Sequence, residues 1–192
     1  MKKLVATAVA AATISSPVMA AQWNSVIQTA DDGTFYTSVD GVDNDSLYTA
    51  FVIYANPARG CDVTGTLIMV SDEKGTETTK KDGLIVQSKI DGGELQETAD
   101  GTYHLYYEDN GYQTQRIGFG MSDEYLGKVA IGNKSMFRMR WPDGDWTSTW
   151  RFDLYGSEKA INRLLHKCTN NIPDDWNDTS DDWSFDNQEW ES

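Results

Sequence analysis

A hairpin near the C-terminal end decides the fold. Residues 136–154 read MFRMRWPDGDWTSTWRFDL, two runs around a Pro-Asp-Gly-Asp turn. A four-residue loop pairs Trp141 with Trp146 and Phe137 with Trp150, and side chains alternate between the two faces of a strand. One face then carries Phe137, Met139, Trp141, Trp146, Trp150, Phe152 and Leu154, and the other carries Arg138, Arg140, Thr147, Thr149, Arg151 and Asp153. This division predicts an antiparallel sheet with one buried face.

The pattern predicts a helix directly after this hairpin. Gly156 ends the strand, Ser157 is placed to cap the helix, and Glu158 lies in the first turn. The apolar residues then share one helical face, namely Ala160, Ile161, Leu164, Leu165 and Cys168. We expect this stripe to pack on the sheet.

Most of the remaining body reads as short strands separated by turns rich in Gly, Asp and Asn. The predicted strands are Thr34–Val39, Leu47–Tyr54, Val63–Val70, Leu84–Ile90, Thr102–Tyr107 and Thr114–Phe119. Ser122, followed by two acids, predicts a short helix that ends near Ala130. Regular short strands favour a sandwich or a barrel. We predict a mainly β domain over residues 21–168, an antiparallel β-sandwich with one C-terminal α-helix packed on it.

The N-terminal residues have the pattern of a signal peptide. Lys2 and Lys3 precede an apolar run, Leu4–Ile14, and small residues follow up to Ala20. The run is too short for a membrane span, which needs about 20 apolar residues. Residues 1–20 are therefore predicted to be cleaved, and the protein to be periplasmic or secreted.

The chain has two cysteines, Cys61 and Cys168. An even pair in an exported protein favours a disulfide, because oxidising compartments form and keep such bonds. Two free thiols are the alternative. If the bond forms, it joins the end of the predicted helix to the start of the Val63 strand.

The net charge of the chain limits the classes of partner that it can bind. The formal net charge is −14, and residues 169–192 carry eight acids and no base. Nucleic acids are poor partners for such a chain, because their phosphates need Lys and Arg. No later segment is apolar enough for a membrane span. Solubility, or attraction to a basic protein partner, fits this charge better, and we expect such a partner.

The last residues repeat an acid–tryptophan triplet, ending at Trp176, Trp183 and Trp190. Like charges repel and the segment is poor in helix formers, so residues 169–192 are predicted to be a disordered acidic tail. These three tryptophans are candidate binding residues.

No motif predicts catalysis, a metal or a cofactor. His104 lies within a predicted strand and His166 ends a helix, and neither belongs to a recognisable triad. Oxygen-rich turns at 40–45 and 143–145 lack the spacing of a calcium loop, so acidic turns are the simpler interpretation. Paired carboxylates of a hydrolase are recognised by their separation in space, which a sequence does not contain.

The hairpin supplies the other candidate binding residues. Trp141 and Trp146 flank its tip, and Arg138, Arg140 and Arg151 cluster on its polar face. The alternative for these arginines is a solvated face with cross-strand Arg–Asp pairs.

The C-terminal motif resembles a known family. Residues 152–157 read FDLYGS and are followed by Ala160, Ile161, Leu164 and Cys168. This run is similar to the end of the VasI/TagO-like type VI secretion-associated periplasmic proteins, and to the invasion-associated locus B proteins. A weaker match is a strand leading to Cys61, with a later strand that ends in Lys89-Ile90-Asp91.

The resemblance implies a β-sandwich accessory protein of the cell envelope, without enzymatic activity, that acts by protein contacts. We therefore expect a non-catalytic binding or accessory protein. Two alternatives remain: a carboxylate-dependent hydrolase acting on carbohydrate or peptidoglycan, and an inhibitor of a basic enzyme such as a lysozyme, whose association negative charge would speed.

Overall fold

The computed structural model describes residues 23–24, 26–42, 48–108, 111–147 and 149–171. The elements in chain order are β1 (Gln28–Thr29), β2 (Phe35–Val42), β3 (Tyr48–Ala55), β4 (Val63–Ser71), β5 (Thr79–Ile90), β6 (Leu95–Tyr107), β7 (Gln113–Gly120), α1 (Asp123–Ile131), β8 (Lys134–Arg140), β9 (Trp150–Asp153) and α2 (Ser157–Thr169). The prediction of a mainly β antiparallel fold with a C-terminal helix is confirmed. The predicted signal peptide, 1–20, and most of the predicted tail, from 172, lie outside the described residues.

The sheet closes on itself. Its strand order is β1-β2-β3-β4-β7-β6-β5-β8-β9, every pairing is antiparallel, and β2 also pairs with β9. The two layers expected of a sandwich are thus parts of one continuous sheet. At the closure Gly41 lies opposite Phe152, and a Cβ on Gly41 would lie 2.5 Å from the Phe152 ring. Only glycine lets the strands approach this closely.

Aromatic rings fill the interior of the closed sheet. The Phe51 ring lies 4.9 Å from that of Phe137 and 5.8 Å from that of Phe152, measured between centroids. The predicted core face of the hairpin is confirmed for the buried residues Phe137, Met139, Trp150, Phe152 and Leu154. Alternation along β8 and β9 therefore identifies the core correctly.

The hairpin departs from its predicted register at the tip. Phe137 lies opposite Trp150, as predicted. Beyond this pair, the Thr147 N–H donates to the Met139 carbonyl at 2.8 Å, and the Met139 N–H donates to the Thr147 hydroxyl at 3.1 Å. The predicted Trp141–Trp146 pair is wrong. A slip of one residue turns side chains to the other face of a strand, and Trp146 accordingly lies with the arginines, not in the core.

Both predicted helices are present. The Ser122 hydroxyl accepts a hydrogen bond from the Tyr125 N–H at 3.2 Å and so caps α1. The predicted cap of α2 is wrong, because Ser157 is the first helical residue and Gly156 takes the cap position. The Ser157 hydroxyl instead donates to the carbonyls of Val129 and Ala130 at the end of α1. Ser157 therefore joins the two helices.

Helix α2 buries the predicted stripe. Ala160, Ile161, Leu164 and Cys168 are buried, and Leu165 is partly buried against the core. The main contacts of the helix are with β2, β3 and α1. Cys168 is bonded to Cys61, with Cα atoms 5.9 Å apart, so the predicted disulfide is confirmed. It joins the end of α2 to the segment that enters β4.

Within the described residues, neither helix has the length and apolar character that crossing a bilayer requires.

Candidate binding surfaces

Three of the predicted binding residues meet on the outer face of β8. The Trp146 ring lies 4.4 Å from the guanidinium carbon of Arg138 and 5.0 Å from that of Arg140. A guanidinium over a tryptophan face is a favourable cation–π contact. The Arg138 Nε also donates to Gln87 Oε1 at 2.8 Å, and Arg140 Nη1 donates to the Pro142 carbonyl at 2.7 Å. These contacts hold both arginines in place.

Arg151 extends this surface across the sheet. Lys89 on β5 lies opposite Met136 on β8, and Met136 lies opposite Arg151 on β9. Residues opposite each other in a ladder share one face. We call this surface the arginine face, and it consists of Lys89, Met136, Arg138, Arg140, Trp146 and Arg151.

Among the residues that the structure describes, these arginines do not form the cross-strand Arg–Asp pairs of the alternative interpretation. Within the described ranges, none of Arg138, Arg140 and Arg151 forms an ion pair with a carboxylate. Arg138 and Arg140 interact with an indole ring and neutral oxygens instead. These three arginines therefore have no ion-pair partner in the described part of the chain.

Trp141 lies away from the arginine face. Its ring packs edge-on against Tyr103 at 5.7 Å between centroids, with the Lys81 ammonium 5.5 Å from the Trp141 ring. Trp141 is partly buried against the core, as alternation along β8 requires. The other predicted binding tryptophans, Trp176, Trp183 and Trp190, lie outside the described residues.

A second surface is a groove that the sequence did not predict. It lies on the outer face of β2, β3, β4, β7 and β6 and has a volume of about 790 Å³. Three tyrosines line it, Tyr36, Tyr48 and Tyr54. Outward-facing tyrosines on β2 and β3 were the available signal, but their neighbours come from strands far apart in the chain.

Hydrogen bonds and ring contacts hold these tyrosines. The Tyr36 hydroxyl donates to Gln28 Oε1 at 2.6 Å, and the Tyr36 and Tyr54 ring centroids lie 5.5 Å apart. The Tyr48 hydroxyl donates to Asp40 Oδ1 at 2.9 Å. Burial, and then this bond to Asp40, raise the pKa of Tyr48 to about 12. Burial also raises the pKa of Tyr54, while the Arg116 charge opposes that rise. The phenols of Tyr48 and Tyr54 are therefore neutral at physiological pH.

Basic side chains form a row at one end of the groove. Arg116 on β7 lies opposite His104 on β6, and His104 lies opposite Lys80 on β5. The Arg116 guanidinium carbon lies 5.2 Å from the Tyr106 ring, and among the described residues Arg116 has no carboxylate in ion-pair contact. Its charge is available to a ligand.

The other end of the groove is acidic. Asp31 and Asp32 line it at the turn before β2. Asp32 Oδ1 accepts a hydrogen bond from the Thr34 N–H at 3.0 Å, and this bond is the main cause that lowers the pKa of Asp32. The groove thus presents carboxylates from the turn before β2, cations from β5, β6 and β7, and phenol rings from β2 and β3.

This arrangement suits binding more than the hydrolase considered above. Asp31 and Asp32, the carboxylates that line the groove, are consecutive in one turn, and Asp32 Oδ1 already accepts a hydrogen bond from the Thr34 N–H.

Outside the groove, neither a histidine nor a metal site adds catalytic groups in the described ranges. His166 is exposed in the last turn of α2, beside the Asn170 amide. No cluster of three His, Cys, Asp or Glu side chains within the described ranges has the arrangement of a metal site; of the acidic turn at 40–45, residues 43–45 lie outside those ranges.

Comparisons with known proteins identify a structural neighbour. No family model and no curated protein matches the chain. The chain is similar to a solved structure, the crystal structure of invasion associated protein B from Bartonella henselae. The two share 14% sequence identity with a TM-score of 0.47, and the match covers 77% of this chain and 94% of that chain. This neighbour bears the name of one family that the C-terminal motif resembles, and it assigns no role to any residue here.

Proposed function

We propose that this protein is a non-catalytic binding or accessory protein of the cell envelope that acts by protein contacts through the groove. The observation that carries the proposal is the presence of Tyr36, Tyr48, Tyr54 and Arg116 on one concave face. Tyrosine and arginine are enriched in protein interfaces and among the residues that dominate their binding energy.

An extracytoplasmic location supports this role. The Cys61–Cys168 bond is of the kind that persists in oxidising compartments. The first 20 residues have the order of charge, apolar run and small residues that export requires. We therefore propose that the protein acts in the periplasm or outside the cell.

The partner we propose is basic. The chain carries a net charge of −14, and Asp31 and Asp32 line the end of the groove next to the tyrosines. Opposite charges steer two proteins together and raise the association rate, an effect that salt screens. The acid–tryptophan triplets at Trp176, Trp183 and Trp190 add to this attraction, because tryptophan is a favoured interface anchor.

Site-specific photocrosslinking in intact cells tests the proposal. A benzoyl-phenylalanine placed at Thr66, within the groove, is expected to trap a discrete protein of high isoelectric point. The same probe at Tyr155, which is 69% exposed outside the groove, is the control. Identical adducts from both positions, or no adduct from Thr66, would contradict the proposal.

Two substitutions then test the chemistry of the groove. Tyr54→Ala should reduce the Thr66 adduct, whereas Tyr155→Ala, which removes an exposed tyrosine elsewhere, should leave it unchanged. Asp31→Lys should reduce it more at low salt than at high salt, because screening weakens the attraction that the change removes. An adduct insensitive to both groove changes would show that the partner binds another surface.

A further inference from the structure

We propose that the acidic C-terminal segment of this chain, residues 172–192, binds the arginine face of the same molecule. The inference goes beyond the proposed function and does not depend on it. It concerns the arginine face, none of whose residues lines the groove.

The positive charge of the arginine face favours an anionic occupant. Lys89, Arg138, Arg140 and Arg151 stand on three neighbouring strands, and none has an ion pair within the described ranges. Unpaired like charges on one surface repel each other, and an anion between them removes this repulsion. Two acids share the outer side of these strands: Glu97, which accepts a hydrogen bond from Gln87 beside Arg138, and Asp153, two residues after Arg151 on β9 and opposite Lys134. Cations therefore outnumber acids on this surface of a protein whose net charge is −14.

Apolar surface lies among these cations. Met136, at the centre of the face, is 37% exposed, and Leu95, opposite Lys89 on β6, is 50% exposed. Trp146 is half-buried and already stacks on two arginines. An occupant that carries both carboxylates and aromatic rings would cover the apolar surface and neutralise the charge.

The C-terminal segment has this composition. Residues 172–192 contain eight acids, three tryptophans and a phenylalanine, and no Lys or Arg. Each acid–tryptophan triplet places a ring beside two carboxyl or amide groups. The chain thus contains a cationic, partly apolar surface and an anionic, aromatic segment that complements it.

The segment is long enough to reach the face. Helix α2 runs 13 residues from Ser157, shortly after β9, to Thr169, a length of about 20 Å. A segment of 21 residues spans at most about 70 Å when extended. The segment can therefore return along α2, with length left over for the seven residues of β8.

Attachment to the same chain favours this occupant over a second copy. A tethered segment is present at an effective concentration on the order of millimolar, whereas a second molecule must lose translational and rotational freedom. A basic partner of the protein would then compete with the arginine face for the segment.

Zero-length carbodiimide crosslinking of the full mature chain tests the proposal. This reagent joins carboxyl groups to amines in contact. We expect crosslinks between Lys89 and the acids of 172–192 in the monomer, and their loss in the double variant Arg138→Glu/Arg151→Glu. Lys159→Glu, a charge reversal at an exposed position on α2, is the matched control and should retain them.

Other outcomes of this experiment would overturn the proposal. Crosslinks that survive the double variant, or that spread equally over Lys80, Lys89 and Lys159, overturn the proposal. Crosslinks that join isotopically distinct chains in a mixture show a second copy as the occupant and also overturn it. If the double variant fails to fold by circular dichroism, Asp181→Lys/Asp182→Lys in the segment replaces it and should give the same loss. Photocrosslinking at Thr66 reports separately on the groove.

Discussion

The Met139 N–H donates to the side-chain hydroxyl of Thr147 at 3.1 Å, not to a carbonyl of the facing strand. Ser, Thr, Asn and Asp side chains compete in this way with the backbone of a ladder. Here the competition ends the regular pairing of β8 with β9 at Phe137 and Trp150. It also accompanies the placement of Trp146 against Arg138 on the outer face.

Removing this hydroxyl should destabilise the hairpin tip. We expect Thr147→Val to lower the free energy of unfolding by about 0.5–1.5 kcal/mol, the net value of one intramolecular hydrogen bond. Urea denaturation measures it, with Thr149→Val, in the same segment before β9, as the control. A variant as stable as the wild type would mean that water replaces the hydroxyl without loss.

Truncating Phe137 should be far more costly. This residue is 1% exposed, and its ring contacts those of Phe51, Phe119 and Phe152. Phe137→Ala should reduce the free energy of unfolding by about 3–5 kcal/mol, from lost burial and the cavity left behind. Met136→Ala, one residue away on the outer face, should change it little. Equal effects in chemical denaturation would contradict the inward orientation of Phe137.

The disulfide should contribute substantially to stability. Its cysteines are 107 positions apart, and closing a loop of about 100 residues restricts the unfolded chain by about 4.7 kcal/mol in the chain-entropy model. We expect Cys61→Ala/Cys168→Ala to lose about 2–5 kcal/mol. Thiol titration of the denatured, unreduced protein should find no free thiol, and reduced wild-type protein should unfold as the variant does. Two reactive thiols in the unreduced protein would refute the bond.

Asp91 should make stability depend on acid pH. Its carboxylate accepts hydrogen bonds from the backbone N–H groups of Asn133 and Lys134. The Asn133 bond, then the Lys134 bond, lower the pKa of Asp91 below its ordinary value of 3.8. The folded state therefore binds the proton less tightly, so the stabilisation is present above the unfolded pKa and is lost as pH falls through the folded pKa.

Asp91→Asn isolates this effect. The variant should be less stable than the wild type at pH 7, and the difference should shrink as pH drops below about 4. Urea denaturation at several pH values measures it, with Glu94→Gln in the same turn as the control. If the difference in stability between the variant and the wild type stays constant down to pH 2, the loss comes from the changed shape of the side chain and not from its charge.

Much of the local structure was predictable because its signals are local. Alternation over two residues identified the strands, the pairing of Phe137 with Trp150 and the buried face of the hairpin. Helical spacing identified the stripe of α2, and the predicted export together with the cysteine count identified the disulfide. Each signal depends on residues close in the chain or on composition, both of which a sequence contains.

The tertiary structure decided the rest. Closure of the sheet depends on the approach of Gly41 to Phe152, which are 111 positions apart. The basic row of the groove needs Lys80, His104 and Arg116 in register on three strands, and the arginine face needs Lys89 beside β8. Periodicity states which side of a strand a residue occupies, but not which strand lies next to it. Cross-strand register, set by distant turns and by the slip at Thr147, therefore determined which side chains meet on each binding surface.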